Sequence, residues 1–225
     1  MILAFVTLVL FIIPTYRSKL ITCNPASVPK LSTPVWSLAT LHTKNDGIET
    51  TNMNIVTYVS AVSIKPEALW ALSLYKSSLS YEIFTRQGWG LLQLLNDDLA
   101  NVVPILGKQS GRDVDKLSII NQQNIASLSL IPLNELPSIE NPLKISSLSK
   151  SNDSPSSSSF ISVFKESPVI LFLEKSQVHP VIDVGDHDLI LCRIRSSFCL
   201  SSEESSQMQK VPILMTQKLR DLGLL

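Results

Sequence analysis

The chain has 225 residues, of which 44% are hydrophobic and 17% charged, enough for the core of one good-sized domain or at most two small ones. Its 19 basic side chains balance 19 acidic ones, so overall charge argues against nucleic acid as a partner. The seven glycines form neither G-x-G-x-x-G nor a P-loop, and three scattered cysteines suit neither a disulfide scaffold nor a tetrahedral zinc site. The composition therefore argues against a Rossmann enzyme and a zinc enzyme, and we expect no metal site.

The first 30 residues differ from the rest and are set apart as a targeting, signal or anchor segment. An apolar run from Met1 to Ile13 would span roughly 20 Å as a helix, short of the ~30 Å hydrocarbon core of a bilayer. No acidic residue precedes Asp46, so residues 1–45 carry four positive charges. A signal followed by a transit-like stretch predicts import into an organelle, most simply a plastid wrapped in extra membranes. A short membrane anchor, entry into the secretory pathway or an imperfect gene start remains open, and we expect membrane contact only through this segment.

Short strands and one capped helix are predicted in the first half of the domain, which we assign to residues 31–225. Alternating and β-branched residues predict strands at 35–42, 55–64 and 68–74, the second closed by Lys65-Pro66. A helix follows from Leu79, with Ser77 or Ser78 as its N-cap and Gly88 as its end. Residues 90–95 predict a buried strand, and residues 97–106 a helix that proline at 104 shortens or kinks.

A serine-rich stretch interrupts the second half. Nine of the seventeen residues from Lys144 to Phe160 are serine, so this stretch buries too little apolar surface to offset its chain entropy. We therefore predict a disordered insertion at about 121–166. Strands are predicted at 169–174, 178–184 and 189–195, and an amphipathic helix at 208–222. The whole pattern predicts a mainly β, barrel-like domain with a few flanking short helices.

Two polar segments are candidates for ligand binding. Thr51, Asn52 and Asn54 lead into Thr57 and Ser60, and such short side chains can hydrogen-bond a planar polar ligand without filling its space. Turn chemistry beside an ordinary strand is the simpler interpretation.

The second segment lies at a strand-to-helix junction, where Lys76, Ser77, Ser78 and Ser80 surround the start of the predicted helix. Unpaired N–H groups, hydroxyls and the positive end of the helix dipole can bind a phosphate there. A capped helix with a solvated lysine explains the same residues.

A histidine flanked by carboxylates is the third candidate. His187 follows Gly185-Asp186 and precedes Asp188, so its pKa is expected near neutrality and the turn can present it to a cleft. A plain surface histidine is the alternative. Cys192 and Cys199 are interpreted as structural, because no histidine is paired with them at ligand spacing.

The order of these segments resembles the flavin reductase-like family of FMN-binding split β-barrels. The matching text is PVWSLAT from Pro34, TNMN from Thr51 continuing through SAVSIKP to Pro66, LYKSS from Leu74, GLLQLL from Gly90, and GDH from Gly185. The resemblance covers about residues 34–118 and 168–196, with the serine-rich insertion between them. Each motif is short, and their common order and spacing carry the match.

The resemblance implies a cofactor and a reaction. In such proteins the strand matching Asn52–Ser63 lines the flavin ring, and the segment matching Lys76–Ser78, with Ser80, receives the FMN phosphate. The turn histidine, here His187, can contact the nicotinamide of NAD(P)H, and flavin usually lies at or near a homodimer interface. The implied function is hydride transfer from NAD(P)H to flavin. A non-catalytic FMN-binding protein or flavin carrier remains the alternative, because many family members are known only as flavin binders.

Overall fold

Antiparallel strands are the predominant regular elements of the domain. The computed structural model describes residues 31–44, 47–137, 159–198 and 212–224. The strands are β1 (Trp36–Thr43), β2 (Glu49–Val56), β3 (Val59–Ser63), β4 (Leu69–Tyr75), β5 (Trp89–Leu94), β6 (Leu128–Pro132), β7 (Phe160–Phe164), β8 (Ile170–Lys175), β9 (Ile182–Asp183) and β10 (His187–Phe198). The α-helices are α1 (Leu79–Gln87), α2 (Val103–Lys108), α3 (Lys116–Gln122) and α4 (Thr216–Asp221), with 3₁₀ segments at Asp97–Val102 and Leu133–Glu135.

The main sheet curves round, so that its two edge strands are consecutive in the chain. Its strand order is β2-β1-β5-β8-β10-β4-β3, with β9 paired beside β10, and every neighbouring pair is antiparallel. The edge strands β2 and β3 are consecutive and joined only by Thr57 and Tyr58. No ladder connects them within the described residues, so the barrel stays split. Strands β6 and β7 form a separate two-stranded sheet.

The central strands are buried on both faces, which explains their nearly continuous hydrophobic sequence. Successive side chains of a strand point to opposite faces. In β5, Leu92 joins a cluster that receives residues from β1, β2, β4, β5, β8 and β10, and this cluster fills the barrel. The next residue back, Leu91, joins a second cluster built with β7, α2, α3 and the C-terminal segment, which covers the outside of β1, β2, β5 and β8.

Local signals set the helix boundaries. Ser78 has extended backbone (φ −78°, ψ 146°) and its Oγ accepts a hydrogen bond from the Tyr81 N–H at 3.1 Å, so it is the N-cap of α1. Gly88 ends α1 in the left-handed conformation (φ 80°). Pro104 falls in the first turn of α2, after the 3₁₀ segment, where its missing N–H costs no helical hydrogen bond. The predicted N-cap, helix end and interruption are all confirmed.

The prediction of one strand over 55–64 is wrong. Strand β2 begins at Glu49 because residues 49–56 pair with β1 along its whole length, from Glu49↔Thr43 to Val56↔Trp36. The chain then passes to the other edge of the sheet, where β3 pairs with β4. Predicted strand 178–184 is likewise reduced to the two residues of β9, and Val178 and Val184 on either side of it are exposed.

The predicted insertion at 121–166 is too wide at both edges. Helix α3, β6 and β7 extend into this range, and Ile161, Val163 and Phe164 of β7 are fully buried against the outside of the barrel. The serine-rich centre, residues 138–158, lies outside the described residues.

The C-terminal helix prediction is also too long. Of residues 208–222, those from 208 to 211 lie outside the described part, and α4 begins at Thr216. Residues 212–215 are extended because the Leu214 backbone hydrogen-bonds to both Val35 and Leu95 at 2.9 Å. The predicted targeting segment, residues 1–30, lies outside the described residues too. Among those that are described, no helix has the length and apolar character needed to cross a membrane.

Candidate functional site

The residues predicted to receive a phosphate gather at the start of α1. The first N–H groups of a helix have no intrahelical acceptor and carry partial positive charge. The side chain of Ser80 is buried in the first turn, and the Asn52 Nδ2 donates a hydrogen bond to its Oγ at 2.8 Å. The same Nδ2 lies 3.3 Å from the Thr40 Oγ1 on β1. The structure therefore joins strand β2 to the start of α1 through Asn52 and Ser80, which lie 28 positions apart in the chain.

Lys76 lies beside this helix start and is held between two carboxylates. Its Nζ is 2.8 Å from the Asp183 Oδ1 and 3.3 Å from the Asp188 Oδ1. The hydrogen bond with Asp183 raises the pKa of Lys76 and lowers the pKa of Asp183. The Tyr81 hydroxyl donates to the other Asp188 oxygen at 2.5 Å, and this bond raises the pKa of Tyr81. Lys76 is therefore a firmly cationic group with carboxylates already around it.

The other predicted strand residues are spread over more than one face of the sheet. The Thr51 Oγ1 accepts a hydrogen bond from the Ser162 N–H of β7 at 2.7 Å, on the outer side of the barrel. Asn54 and Thr57 are half-buried, whereas Ser60 is exposed on edge strand β3 and donates to the carbonyl oxygen of the next residue. Asn52 is the member of this group that hydrogen-bonds to α1 in the described part of the chain.

A cavity of about 700 Å³ opens next to the Asn52–Ser80 pair. Its lining comes from the ends of β1 and β2, from α1 and from the loop before α3: His42, Lys44, residues 50–53, Leu79, Glu82 and residues 111–116. Burial is the first cause that lowers the pKa of His42, and its Nδ1 is a buried atom without a hydrogen-bond partner in the described structure. Burial therefore favours the uncharged form of an imidazole in the cavity wall.

The loop before α3 closes one side of this cavity. The Arg112 guanidinium donates to the Ser77 carbonyl oxygen and to the Glu82 Oε2, both at 2.8 Å. A Cβ on Gly111 would lie 2.3 Å from the Asn52 Oδ1, so only glycine lets the loop approach Asn52 this closely. The loop thus contacts both Ser77 and Asn52.

A buried lysine lies behind the same loop. The Lys116 Nζ donates to the Leu106 carbonyl oxygen at 2.7 Å and to the Met53 carbonyl oxygen at 3.2 Å. No carboxylate lies within ion-pair distance of it in the described residues. Because it is desolvated without a counter-ion, burial lowers the pKa of Lys116 to about 8.

His187 lines a second, smaller cavity. This cavity measures about 340 Å³ and is lined by Tyr58, Ser73, Val184, Asp186 and His187. The Nδ1 of His187 is 2.8 Å from the Asp186 Oδ1, a bond that lowers the pKa of Asp186. The Tyr58 ring meets the imidazole edge-on at 5.6 Å, and a second tyrosine ring, that of Tyr75, lies 5.4 Å away.

The structure places His187 at the first position of β10 rather than inside a turn. The main-chain N–H of Lys76 donates to the Asp186 carbonyl oxygen at 3.0 Å, so the histidine segment is tied directly to the predicted phosphate segment. Nearby, Cys192 is fully buried in the barrel, and burial raises the pKa of its thiol to about 12, in line with a structural role. Cys199 lies outside the described residues.

Sequence reasoning missed three residues of this region, Tyr58, Arg112 and Lys116. It placed Asp188 beside His187 and missed its contacts with Lys76 and Tyr81. Arg112 follows a glycine in a short polar loop without periodicity, and nothing local distinguishes it from a solvated surface residue. Asp188 and Tyr81 are 107 positions apart, so no spacing rule connects them. No group of three or more histidine, cysteine or acidic side chains suited to a metal occurs in the described residues.

The sequence itself matches no protein-family model and no curated protein. Solved structures do match. An FMN-binding protein from Thermus thermophilus with bound p-hydroxybenzaldehyde has a TM-score of 0.57 and 13% identity, covering 88% of this chain and 89% of that one. Flavoredoxin from Methanosarcina acetivorans has a TM-score of 0.56 and 15% identity, with 88% and 86% covered. Flavoredoxin of Desulfovibrio vulgaris has a TM-score of 0.53 and 16% identity, with 80% and 76% covered.

These similarities extend over most of each chain and agree with the split, mainly antiparallel sheet described above. At such identities they establish a shared architecture, while ligand and reaction have to be argued from this chain's own residues. The fold expected from the order of the sequence motifs is thereby confirmed: the chain has the FMN-binding split β-barrel fold seen in flavoredoxins and in the Thermus protein.

Proposed function

We propose that the protein binds FMN and acts as a flavin reductase-like oxidoreductase that accepts a hydride from NAD(P)H. The observation that carries the proposal is the Asn52–Ser80 hydrogen bond, which joins β2 to the start of α1 beside a 700 Å³ cavity. This arrangement occurs in a fold shared with proteins that are named for FMN binding or as flavoredoxins. FMN, when bound, supplies the electron-accepting chemistry.

The groups at the start of α1 fit the phosphate end of such a ligand. The first-turn N–H groups provide donors, Lys76 provides a point charge, and Ser77, Ser78 and Ser80 provide hydroxyls. Ser78 already caps the helix and Ser80 already accepts from Asn52, so these two hydroxyls position the segment. We assign direct phosphate binding to Lys76, Ser77 and the free N–H groups.

The polar residues of β2, β3 and their link fit the rest of the ligand. Asn54 and Thr57 lie on the segment that leads from the α1 start towards Tyr58 at the His187 cavity. Small polar side chains and exposed main-chain groups on such a segment can bind the edge of a planar ring without blocking it. We propose that Thr51, Asn52, Asn54, Thr57 and Ser60 line the flavin, with Thr51 and Ser60 at its margins.

His187 is the proposed contact for the nicotinamide. An ionised Asp186 carboxylate can only accept a hydrogen bond, so it holds the proton of a neutral His187 on Nδ1 and leaves Nε2 as an acceptor. An acceptor beside two tyrosine rings suits an amide-bearing aromatic ring. His187 therefore orients the reductant, and it is not required for holding FMN.

Flavin binding is tested by soaking the purified protein in FMN, desalting it and recording an absorbance spectrum. Retained flavin bands support the proposal. The double variant Lys76→Ala/Ser77→Ala is expected to weaken FMN binding by roughly 1 to 3 kcal/mol, the range for charge-assisted hydrogen bonds. Lys108→Ala removes an exposed lysine at the end of α2 and is the matched control. Equal FMN affinity in all three proteins would refute the phosphate assignment.

Hydride transfer is tested by adding NADH or NADPH anaerobically to the FMN-loaded protein. Bleaching of the flavin absorbance supports a reductase. His187→Ala should slow the bleaching without changing the FMN affinity, whereas His179→Ala, at an exposed histidine, should change neither. A protein that holds FMN but is not bleached would be the non-catalytic flavin binder or carrier.

We also propose a homodimer and an organellar location. Strand β3 pairs only with β4 in the described sheet, and Tyr58, Val62 and Ile64 along or beside it are exposed, as at an edge that a second subunit would cover. Light scattering on the purified protein gives the mass directly, and a monomer would contradict the proposed homodimer.

The proposed organellar location is tested separately. Residues 1–45 fused to a fluorescent reporter should direct it to an organelle, and a diffuse cytosolic signal would contradict the proposal.

A further inference from the structure

The two carboxylates that hold Lys76 differ in their surroundings. The Asp188 side chain is 10% exposed, and its second oxygen accepts the Tyr81 hydroxyl at 2.5 Å. It belongs to β10 and lies in register with Leu74 of β4, inside the ladder. Asp188 is therefore a largely buried counter-ion for Lys76, with its backbone in the ladder and its carboxylate held by Tyr81.

Asp183 is attached much more loosely. Its side chain is 76% exposed, although its Oδ1 lies closer to the Lys76 Nζ, at 2.8 Å. It belongs to β9, which has only two residues and is paired only with β10 in the described structure. Its remaining local contact is the Gly185 N–H, which donates to the same Oδ1 at 2.9 Å. Rotation of one exposed side chain is enough to separate this carboxylate from Lys76.

We propose that Asp183 competes with the phosphate of the ligand for Lys76 and thereby keeps the bound nucleotide exchangeable. This inference rests on the proposed function, because it takes Lys76 as part of the phosphate site. Asp183 is by far the more exposed of the two carboxylates on Lys76, so a ligand that approaches from solvent meets Asp183 before Asp188. A phosphomonoester carries more charge than a carboxylate and has three acceptor oxygens, so it can displace Asp183.

The competition has a defined consequence for affinity. Every phosphate that binds must first break the Asp183–Lys76 pair, and part of its interaction with Lys76 is lost to that exchange. Riboflavin lacks the phosphate and leaves the pair intact, so its affinity does not depend on Asp183. Asp183 therefore reduces the preference for FMN over riboflavin, and its removal should increase that preference.

The test measures dissociation constants of FMN and riboflavin, by quenching of flavin fluorescence, for the wild type, Asp183→Asn, Lys76→Met and the double variant. Asparagine keeps the size of the side chain and can still accept the Gly185 hydrogen bond. Because exposed ion pairs are weak, we expect Asp183→Asn to bind FMN about two- to fivefold more tightly and riboflavin unchanged. Lys76→Met should weaken FMN, and in that background Asp183→Asn should have no effect, because the competition acts through Lys76.

The possible results separate the inference from the function it rests on. If Lys76→Met weakens FMN binding but Asp183→Asn does not tighten it, the phosphate site stands and the competitor role is overturned. If Asp183→Asn tightens FMN binding equally with and without Lys76, general charge repulsion is the cause and the inference is again overturned. If no flavin binds to any variant, the proposed function itself fails.

Discussion

Replacing Lys116 by methionine should remove a pH dependence from the free energy of unfolding. In the folded protein burial lowers the pKa of Lys116 to about 8, against 10.5 for a solvated lysine. Between these two pH values the unfolded chain binds more protons than the folded one, so the free energy of unfolding of the wild type rises with pH. The difference amounts to about 3 kcal/mol in total and is complete at about pH 11.

The comparison uses urea unfolding followed by tryptophan fluorescence at steps from pH 7 to pH 11. The quantity of interest is the wild-type value minus the Lys116→Met value at each pH. Methionine keeps an unbranched side chain but cannot make the two hydrogen bonds of Lys116 to carbonyl oxygens. Losing these bonds shifts the difference by a similar amount at every pH and has less effect on how it changes with pH. Lys108→Met, which removes an exposed lysine, serves as the control for a non-buried ammonium.

The expected result is a difference that rises by about 3 kcal/mol across this range for Lys116→Met and stays nearly flat for Lys108→Met. Parallel stability curves for the wild type and Lys116→Met would show that the Lys116 ammonium is not desolvated. The reasoning about the wall of the large cavity would then be refuted, because it depends on this lysine being buried without a counter-ion.

Two further predictions concern the neighbourhood of the α1 start. Gly111→Ala places a Cβ 2.3 Å from the Asn52 Oδ1 and should lower the free energy of unfolding by about 1 to 3 kcal/mol, the usual range for overpacking. Gly107 lies in α2, and a Cβ added there meets only Ile55, at 3.7 Å, so Gly107→Ala should raise the free energy of unfolding by up to about 1 kcal/mol. Equal effects of Gly111→Ala and Gly107→Ala in urea unfolding would contradict the prediction. Ser78→Ala removes the N-cap of α1 and should lower the free energy of unfolding, measured by heat or urea, by about 1 kcal/mol. Ser77 is exposed and is not a cap, so Ser77→Ala should leave it unchanged. A Ser78→Ala protein as stable as the wild type would rule out the cap.

The elements that could be predicted are those whose signals are local. Ser78 and Gly88 mark the two ends of α1 because each satisfies or ends helical hydrogen bonding within a few residues. Pro104 marks the junction of the 3₁₀ segment and α2 for the same kind of reason. The order of short polar and hydrophobic motifs was also enough to indicate the split-barrel fold.

Elements whose boundaries depend on distant partners were misjudged. Strand β2 starts at Glu49 because residues 49–56 pair with β1. Without that partner, the polar residues from 49 to 54 resemble a turn, which is why the predicted strand began only at residue 55. Strand β7 is ordered at the edge of a serine-rich stretch because its alternate residues are buried against the barrel. Leu214 is extended because Val35 and Leu95 hydrogen-bond to it across the chain.

The candidate site divides in the same way. The sequence by itself determined the chemical types at the start of α1, since a lysine, three serines and a helix N-terminus are adjacent along the chain. It also determined that His187 has a carboxylate neighbour in Asp186. Only the tertiary structure decided that Asn52 reaches Ser80 and that Lys76 is shared by Asp183 and Asp188. The first contact joins strand β2 to helix α1, and the others join the residue after β4 to strands β9 and β10. Hydrogen bonds and charges act over distances in space, whatever the separation along the chain.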